Sequence, residues 1–236
     1  MEYLYGTAEN YEDFSSGRVI YGGRGIPNFP ARLVREIFGR SLAQLNDKER
    51  IRVYDPCCGG AYSLTILGFF YGERIEKIYA SDADEEMAAH ARKNLSLLTE
   101  EGLIKRQGEL EELYRKYGKA SHLEAAESAE RLMGRLAADV EAEVFTADCT
   151  KELPDIHPDI IITDVPYGDL VSWEGSGGMT AMLGQLWKIA HEDTVLAVCM
   201  DKSQKIVSDG WKRIEKQNIG KRRFEILKCV KENRPL

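Results

Sequence analysis

Five short apolar segments recur along the chain, Ile51 to Tyr54, Lys77 to Ala80, Val144 to Thr146, Ile160 to Thr163 and Thr194 to Met200, with helical stretches between them. That alternation is a βαβ rhythm, and right-handed crossovers let it close only as a mostly parallel sheet with helices on its faces. The spacing predicts helices over about 60–72, 84–98 and 178–191. The last carries Met179, Met182, Leu183, Leu186 and Trp187 on one face, a stripe that packs a core. Upstream, Ile26-Pro27-Asn28-Phe29-Pro30 leads into a helix from about Pro30 to Leu45, with Leu33, Val34, Ile37, Phe38 and Leu45 on the stripe facing the sheet's rim. At the other end, Trp211 to Ile219 and Arg223 to Val230 flank Gly220-Lys221-Arg222 and read as an antiparallel hairpin.

Residues 99–141 do not fit a plain strand-to-strand crossover. Leu110, Leu113, Tyr114 and Tyr117 mark a first helix from about Leu103 to Tyr117, and Gly118 stops it. Ser121-His122-Leu123-Glu124 then reads as a capping box that opens a second helix to about Ala137. The segment is therefore an inserted helical hairpin, either a solvated cover for the sheet or a platform for a large substrate. A length of 236 residues fits one α/β domain carrying this addition. The first 17 residues are polar and acidic and are expected to be loosely held, with order beginning near Gly17.

No apolar run approaches the roughly 20 residues of a membrane span. The acidic start, with Glu2, Glu9, Glu12 and Asp13, lacks the layout of a signal peptide. A soluble, cytoplasmic monomer is expected. The cysteines at 57, 58, 149, 199 and 229 offer no zinc-ligand spacing and read as free thiols, so no metal is expected. The histidines at 90, 122, 157 and 191 are scattered and receive no role. Net charge is −7 but uneven: residues 18–52 hold eight Lys/Arg against three Asp/Glu, and residues 200–236 hold eleven against five. Residues 146–199 hold two against nine, so a polyanion would be gripped by the basic flanks.

The chemistry concentrates at strand ends. Val53-Tyr54-Asp55-Pro56-Cys57-Cys58-Gly59-Gly60-Ala61 runs a strand into a glycine turn, where bare backbone lets a nucleotide-like cofactor approach and a helix N-terminus receives a carboxylate. Asp82, next to Ala83 at the end of the second strand, is read as accepting from both ribose hydroxyls, with helix capping as the lesser alternative. Asp148, followed by Cys149, closes the third strand where an adenine amino group would arrive, or caps its own turn. The fourth strand ends in Ile161-Ile162-Thr163-Asp164-Val165-Pro166-Tyr167-Gly168, an acid, a proline and an aromatic placed to hold a flat, amino-bearing ring.

A sheet of this kind with a reversed last hairpin resembles the class I S-adenosylmethionine-dependent methyltransferases. The Asp164 segment resembles the [Asn/Asp/Ser]-Pro-Pro-[Tyr/Phe/Trp] motif of those acting on planar amines, with Val165 in place of the first proline. Asp164 is then the catalytic residue, with Pro166, Tyr167 and Gly168 completing the clamp. The same residues suit a protein amide, a DNA adenine or a small amine, and a non-catalytic binding module is the rival of another class.

With these residues together, the chain resembles the AviRa family of ribosomal RNA guanine methyltransferases, associated with resistance to the orthosomycin avilamycin. The likeness spans about residues 17–232 and rests on Gly17-Arg18-Val19, Pro27 to Phe38, the paired Cys57-Cys58, the Asp164 to Gly168 run, Trp173-Glu174-Gly175 and Gly220-Lys221-Arg222-Arg223. It implies a Rossmann-like fold with two added helices, S-adenosylmethionine as cofactor, and a guanine of large-subunit ribosomal RNA as substrate. The family's usual Gly-Ser-Gly is Gly59-Gly60-Ala61 here, and Ala61 is expected to crowd the cofactor slightly. On the substrate side, Trp173 is expected against the flipped base and Arg222 and Arg223 on the RNA backbone.

Overall fold

The computed structural model describes residues 1–23, 29–46, 48–165 and 178–231. Seven strands among them form one sheet: β1 (Ile51–Asp55), β2 (Ile75–Asp82), β3 (Glu141–Thr146), β4 (Ile160–Asp164), β5 (Val195–Asp201), β6 (Trp211–Ile219) and β7 (Arg222–Cys229). Their order is β3-β2-β1-β4-β5-β7-β6, parallel except for β7, which runs antiparallel to both its neighbours. The chain winds outward in one direction from β1 and in the other from β4, so the crevice at their carboxyl ends is where such a sheet binds ligands.

The strands bury alternate residues on two faces, as a pleat of period two dictates. Val53, Ile160, Ile162, Ala197 and Phe224 face one apolar layer, while Tyr54, Ile161, Leu196, Val198 and Leu227 face the other. Against the second layer packs α6 (Gly178–Ile189), through Met182, Leu183 and Leu186. Trp187 departs from the expected inner stripe. It is 37% exposed, and its indole N–H donates to the Val230 carbonyl at 3.0 Å, fastening α6 to the end of the hairpin.

The first layer is covered by α1 (Ala31–Leu42), α2 (Tyr62–Tyr71) and α3 (Glu85–Ser96), then by the insert, α4 (Glu100–Tyr117) and α5 (Ala120–Met133). Asp84 caps α3 by accepting from the Glu86 and Met87 N–H groups, and Thr99 caps α4. Gly118 ends α4 in the left-handed region at φ 65°. The capping box expected at Ser121 does not form. Helix α5 starts earlier, at Ala120, with Lys119 at the cap and no side-chain bond there. Packing of Ala125, Ala126, Ala129 and Leu132 against Leu103 and Leu110 sets its start instead of a local cap.

The N-terminal segment, expected to be loosely held, is packed instead. Glu36 of α1 is fully buried, and its carboxylate accepts from the N–H groups of Leu4, Tyr5 and Gly6 at 2.7–3.0 Å and from Arg40 at 2.6 Å. Phe14 is 1% exposed, with its ring 4.9 Å from that of Phe70, and Arg131 of α5 pairs with Asp13 at 2.7 Å. Arg106 of α4 donates to the Val19 and Arg18 carbonyls and lies 4.1 Å from the Tyr21 ring. The partners lie from about 30 to over 100 residues away in sequence, beyond what local composition signals.

Candidate active site

Asp55, at the end of β1, directs the turn that follows. Its Oδ1 accepts the Cys57 N–H at 3.0 Å, bending the chain at the buried Pro56. Burial, reinforced by the neighbouring Asp164 and Asp82 carboxylates, pushes Asp55 up to about 7. Ser81 of β2 holds the turn from beneath: its carbonyl accepts the Cys58 N–H at 2.9 Å and its hydroxyl meets the Tyr54 hydroxyl at 2.7 Å. Gly59 then adopts φ 50°, with nothing within 4 Å of where a side chain would begin. That open, side-chain-free position is the cradle a cofactor needs. Gly60, in contrast, packs its Cα against the His90 ring, where a methyl group would sit 2.6 Å from Cδ2.

Helix α2 begins beyond Ala61 without a side-chain cap, leaving its first N–H groups to a ligand carboxylate. Ala61 does not crowd this space as expected. It is 1% exposed and turns its methyl into the first apolar layer, at the cost of a left-handed φ of 55°. Asp82 faces the turn, accepting from the Gly59 N–H at 2.9 Å and the Asp84 N–H at 3.0 Å, and its oxygens keep further lone pairs for ribose hydroxyls. Ala83 beside it is exposed. The set fits a cofactor carrying a carboxylate and a ribose.

Asp148 caps its own turn through one carboxylate oxygen. Its Oδ1 accepts from the Thr150 N–H at 2.9 Å and hydroxyl at 2.6 Å, and Lys151 lies 3.1 Å from Oδ2. The Thr150 bonds hold its carboxyl below the usual range. The structure brings this loop against the β1 turn: the sulfurs of Cys149 and Cys57 are 3.4 Å apart.

Asp164 ends β4, in register with Cys199 of β5. It lines a small cleft of about 20 Å³, with Asp55 and Thr163 on the sheet side and Phe29, Val34 and Ile37 on the α1 side. Arg222 opens β7 opposite Asp201, which carries its guanidinium to 3.9 Å from the Asp164 carboxylate and 5.3 Å from the Phe29 ring centre. Phe29 was not singled out from the sequence, where an isolated aromatic between two prolines gives no period to read. Arg223, expected on the RNA backbone, is drawn inward: it is 7% exposed, donates to the Lys202 and Gln204 carbonyls and pairs with Glu225 at 3.1 Å, holding the hairpin to the segment after β5. Lys202 and Lys221 are exposed instead at this carboxyl edge, joined by a backbone hydrogen bond of 3.4 Å. Pro166, Tyr167, Gly168 and Trp173 lie outside the described residues.

The strand order, the reversed β7 and the glycine turn facing an acid on the next strand define a class I methyltransferase fold. A sequence profile of the family described as rRNA methyltransferase AviRa matches residues 1–222, and the chain belongs to that family of rRNA methyltransferases. A relative from Streptomyces viridochromogenes, the 23S rRNA (guanine(2535)-N(1))-methyltransferase, is 37% identical over 230 residues, covering 92% of each chain. Two solved structures of rRNA methyltransferase AviRa from that organism superpose with TM-scores of 0.87 and 0.88 at 34% identity, covering 97% of this chain and 96% of theirs. TrmN from Thermus thermophilus reaches 0.50 at 15% identity over 85% of this chain and 49% of its own, a likeness of fold alone.

Proposed function

We propose that this chain methylates a ring nitrogen of a guanine in large-subunit ribosomal RNA, with S-adenosylmethionine as donor and one methyltransferase domain carrying the helical insert. The observation that carries the reading is Asp164, set at the end of β4 beside Arg222 and Phe29 and one strand from the glycine turn. The relative that acts on a guanine N1 of 23S rRNA supports the substrate. When bound, S-adenosylmethionine supplies a methyl group on a sulfonium.

The protein's own part is placement and proton handling. The α2 N-terminus and Asp82 fix the donor, and Asp148 and Cys149 border the adenine side. Guanine N1 bears a proton that must leave as the N–CH3 bond forms, and Asp164 is the acceptor for it. Arg222, held against Phe29, pairs with that carboxylate and aims it at the base edge. Tyr167 and Trp173 are assigned to stack on the extruded base, whose unstacking costs a few kcal/mol. The test presents tritiated S-adenosylmethionine with deproteinised large-subunit rRNA, small-subunit rRNA, DNA and a protein extract. Label should enter large-subunit rRNA and fall by about 10²–10⁴ in Asp164→Ala with cofactor binding intact. Label confined to protein or DNA would overturn the substrate reading, and undiminished label in the variant would overturn the role of Asp164.

A further inference from the structure

Cys57 and Cys149 lie 92 positions apart in sequence, yet their sulfurs meet at 3.4 Å between the two loops that border the cofactor pocket. Neither is a stray thiol. Both belong to the second apolar layer, which also holds Tyr54 and Phe145 with their stacked rings 6.0 Å apart. Cys149 is buried and Cys57 is half-buried, so the pair sits just beneath the surface of the two loops. Cys58, the next residue, turns its sulfur away to the Gly59 carbonyl, which leaves the pair defined. A disulfide needs about 2.05 Å between sulfurs, so bonding requires the loops to draw together by roughly 1.4 Å.

We propose that Cys57 and Cys149 are an oxidation site, at which a peroxide joins the two loops of the pocket in a reversible disulfide and weakens cofactor binding. The chemistry balances with one peroxide. Its O–O bond breaks as Cys57 becomes a sulfenic acid and one water leaves. The Cys149 sulfur then attacks the Cys57 sulfur, and the expelled hydroxide takes the Cys149 proton as a second water. The two thiols lose two electrons and the peroxide gains them. Contact with Cys149 and burial push the Cys57 thiol up, and the Asp55 and Asp82 carboxylates facing it from β1 and β2 act in the same direction. Cys57 is therefore held as a thiol against slow oxidation at neutral pH and reacts faster as pH rises. Closure acts on the cofactor because Cys57 shares a turn with the Gly59 cradle and Cys149 adjoins Asp148. The effect on the cofactor rests on the reading of this pocket given above, whereas the bond itself does not.

The experiment treats the full chain with hydrogen peroxide at about pH 8.5, maps its peptides by mass, and measures S-adenosylmethionine affinity by calorimetry before treatment, after it, and after dithiothreitol. A Cys57–Cys149 linked peptide, short of two hydrogens, is expected, with affinity falling roughly tenfold or more and returning on reduction. Cys57→Ser, Cys149→Ser and Cys149→Ala should form no link, and peroxide should leave the affinity of each at its own untreated value. Sulfinic acids or unmodified thiols at both positions would overturn the oxidation site. A link formed with affinity unchanged would overturn its effect on the cofactor. Untreated protein that binds no S-adenosylmethionine would overturn that effect and the pocket reading together, while the peptide map still decides the bond.

Discussion

Asp55 is a carboxylate that the fold keeps for its shape and handicaps by its surroundings. Its Oδ1 holds the Cys57 N–H at 3.0 Å and so forms the turn, but burial beside Asp164 and Asp82 lifts it from 3.8 to about 7. The folded state therefore holds this proton more tightly than the unfolded chain does. Its contribution to stability is greatest below pH 4 and is lost as pH rises toward 7. Asparagine keeps the oxygen that accepts from Cys57 and removes the charge. Asp55→Asn should thus be indistinguishable from the parent in urea midpoint near pH 4 and more stable at pH 8, by on the order of 1–4 kcal/mol at about 1.36 kcal/mol per unit. An equal difference at both pH values would show that Asp55 does not titrate in this range.

At the scale of elements, α1 acts as a clasp. Glu36 is buried at the point where the N-terminal strap crosses the helix, and Arg40, one turn on, pairs with it and with Glu215 of β6. Burial works to raise the Glu36 carboxyl, yet the N–H groups of Leu4, Gly6 and Tyr5 with Arg40 outweigh it and hold it below the usual range. Its stability is present at neutral pH and is lost as pH falls below the ordinary carboxylate value of 4.5. Glu36→Gln breaks a buried ion pair and should cost about 3–5 kcal/mol at pH 7. Amide exchange at Leu4 to Gly6 should rise with it, and unchanged exchange there would disprove the clasp. Such a clasp has no signature in a window of sequence, since one glutamate binds a backbone some 30 residues away. The strands were readable because apolar runs such as Ile160–Thr163 are buried on both faces, and Gly118 was readable because a left-handed stop favours glycine. Ser121 misled because its pattern is local, whereas helix α5 takes its start from packing on α4. Arg223 misled for a related reason: in a run of basic residues, strand alternation puts Arg222 beside Asp164 and sends Arg223 inward to Glu225.

For the molecule as a whole, the question is how a chain of net charge −7 takes hold of RNA. The topology answers with position rather than quantity of charge. Because β7 runs antiparallel to β5, the turn between β6 and β7 comes to the same carboxyl edge as Asp164, and Gly220 at φ 55° makes that turn short. The edge thus gathers exposed Lys202 and Lys221 around Arg222, at the rim of the cleft that Asp55 and Asp164 line. A negative site next to a positive rim suits a base that enters while its phosphates stay outside, since each phosphate contact displaces a counterion and each carboxylate excludes the backbone. Lys202→Ala with Lys221→Ala should therefore weaken binding to large-subunit rRNA and flatten its dependence on salt. Two lost contacts reduce the slope of log K against log salt by roughly 1.5. S-adenosylmethionine affinity should not change, because the glycine turn and Asp82 lie beyond β4 on the other side of the crevice. A slope equal to that of the parent would place the RNA backbone elsewhere on the surface and leave Lys202 and Lys221 as ordinary solvated lysines.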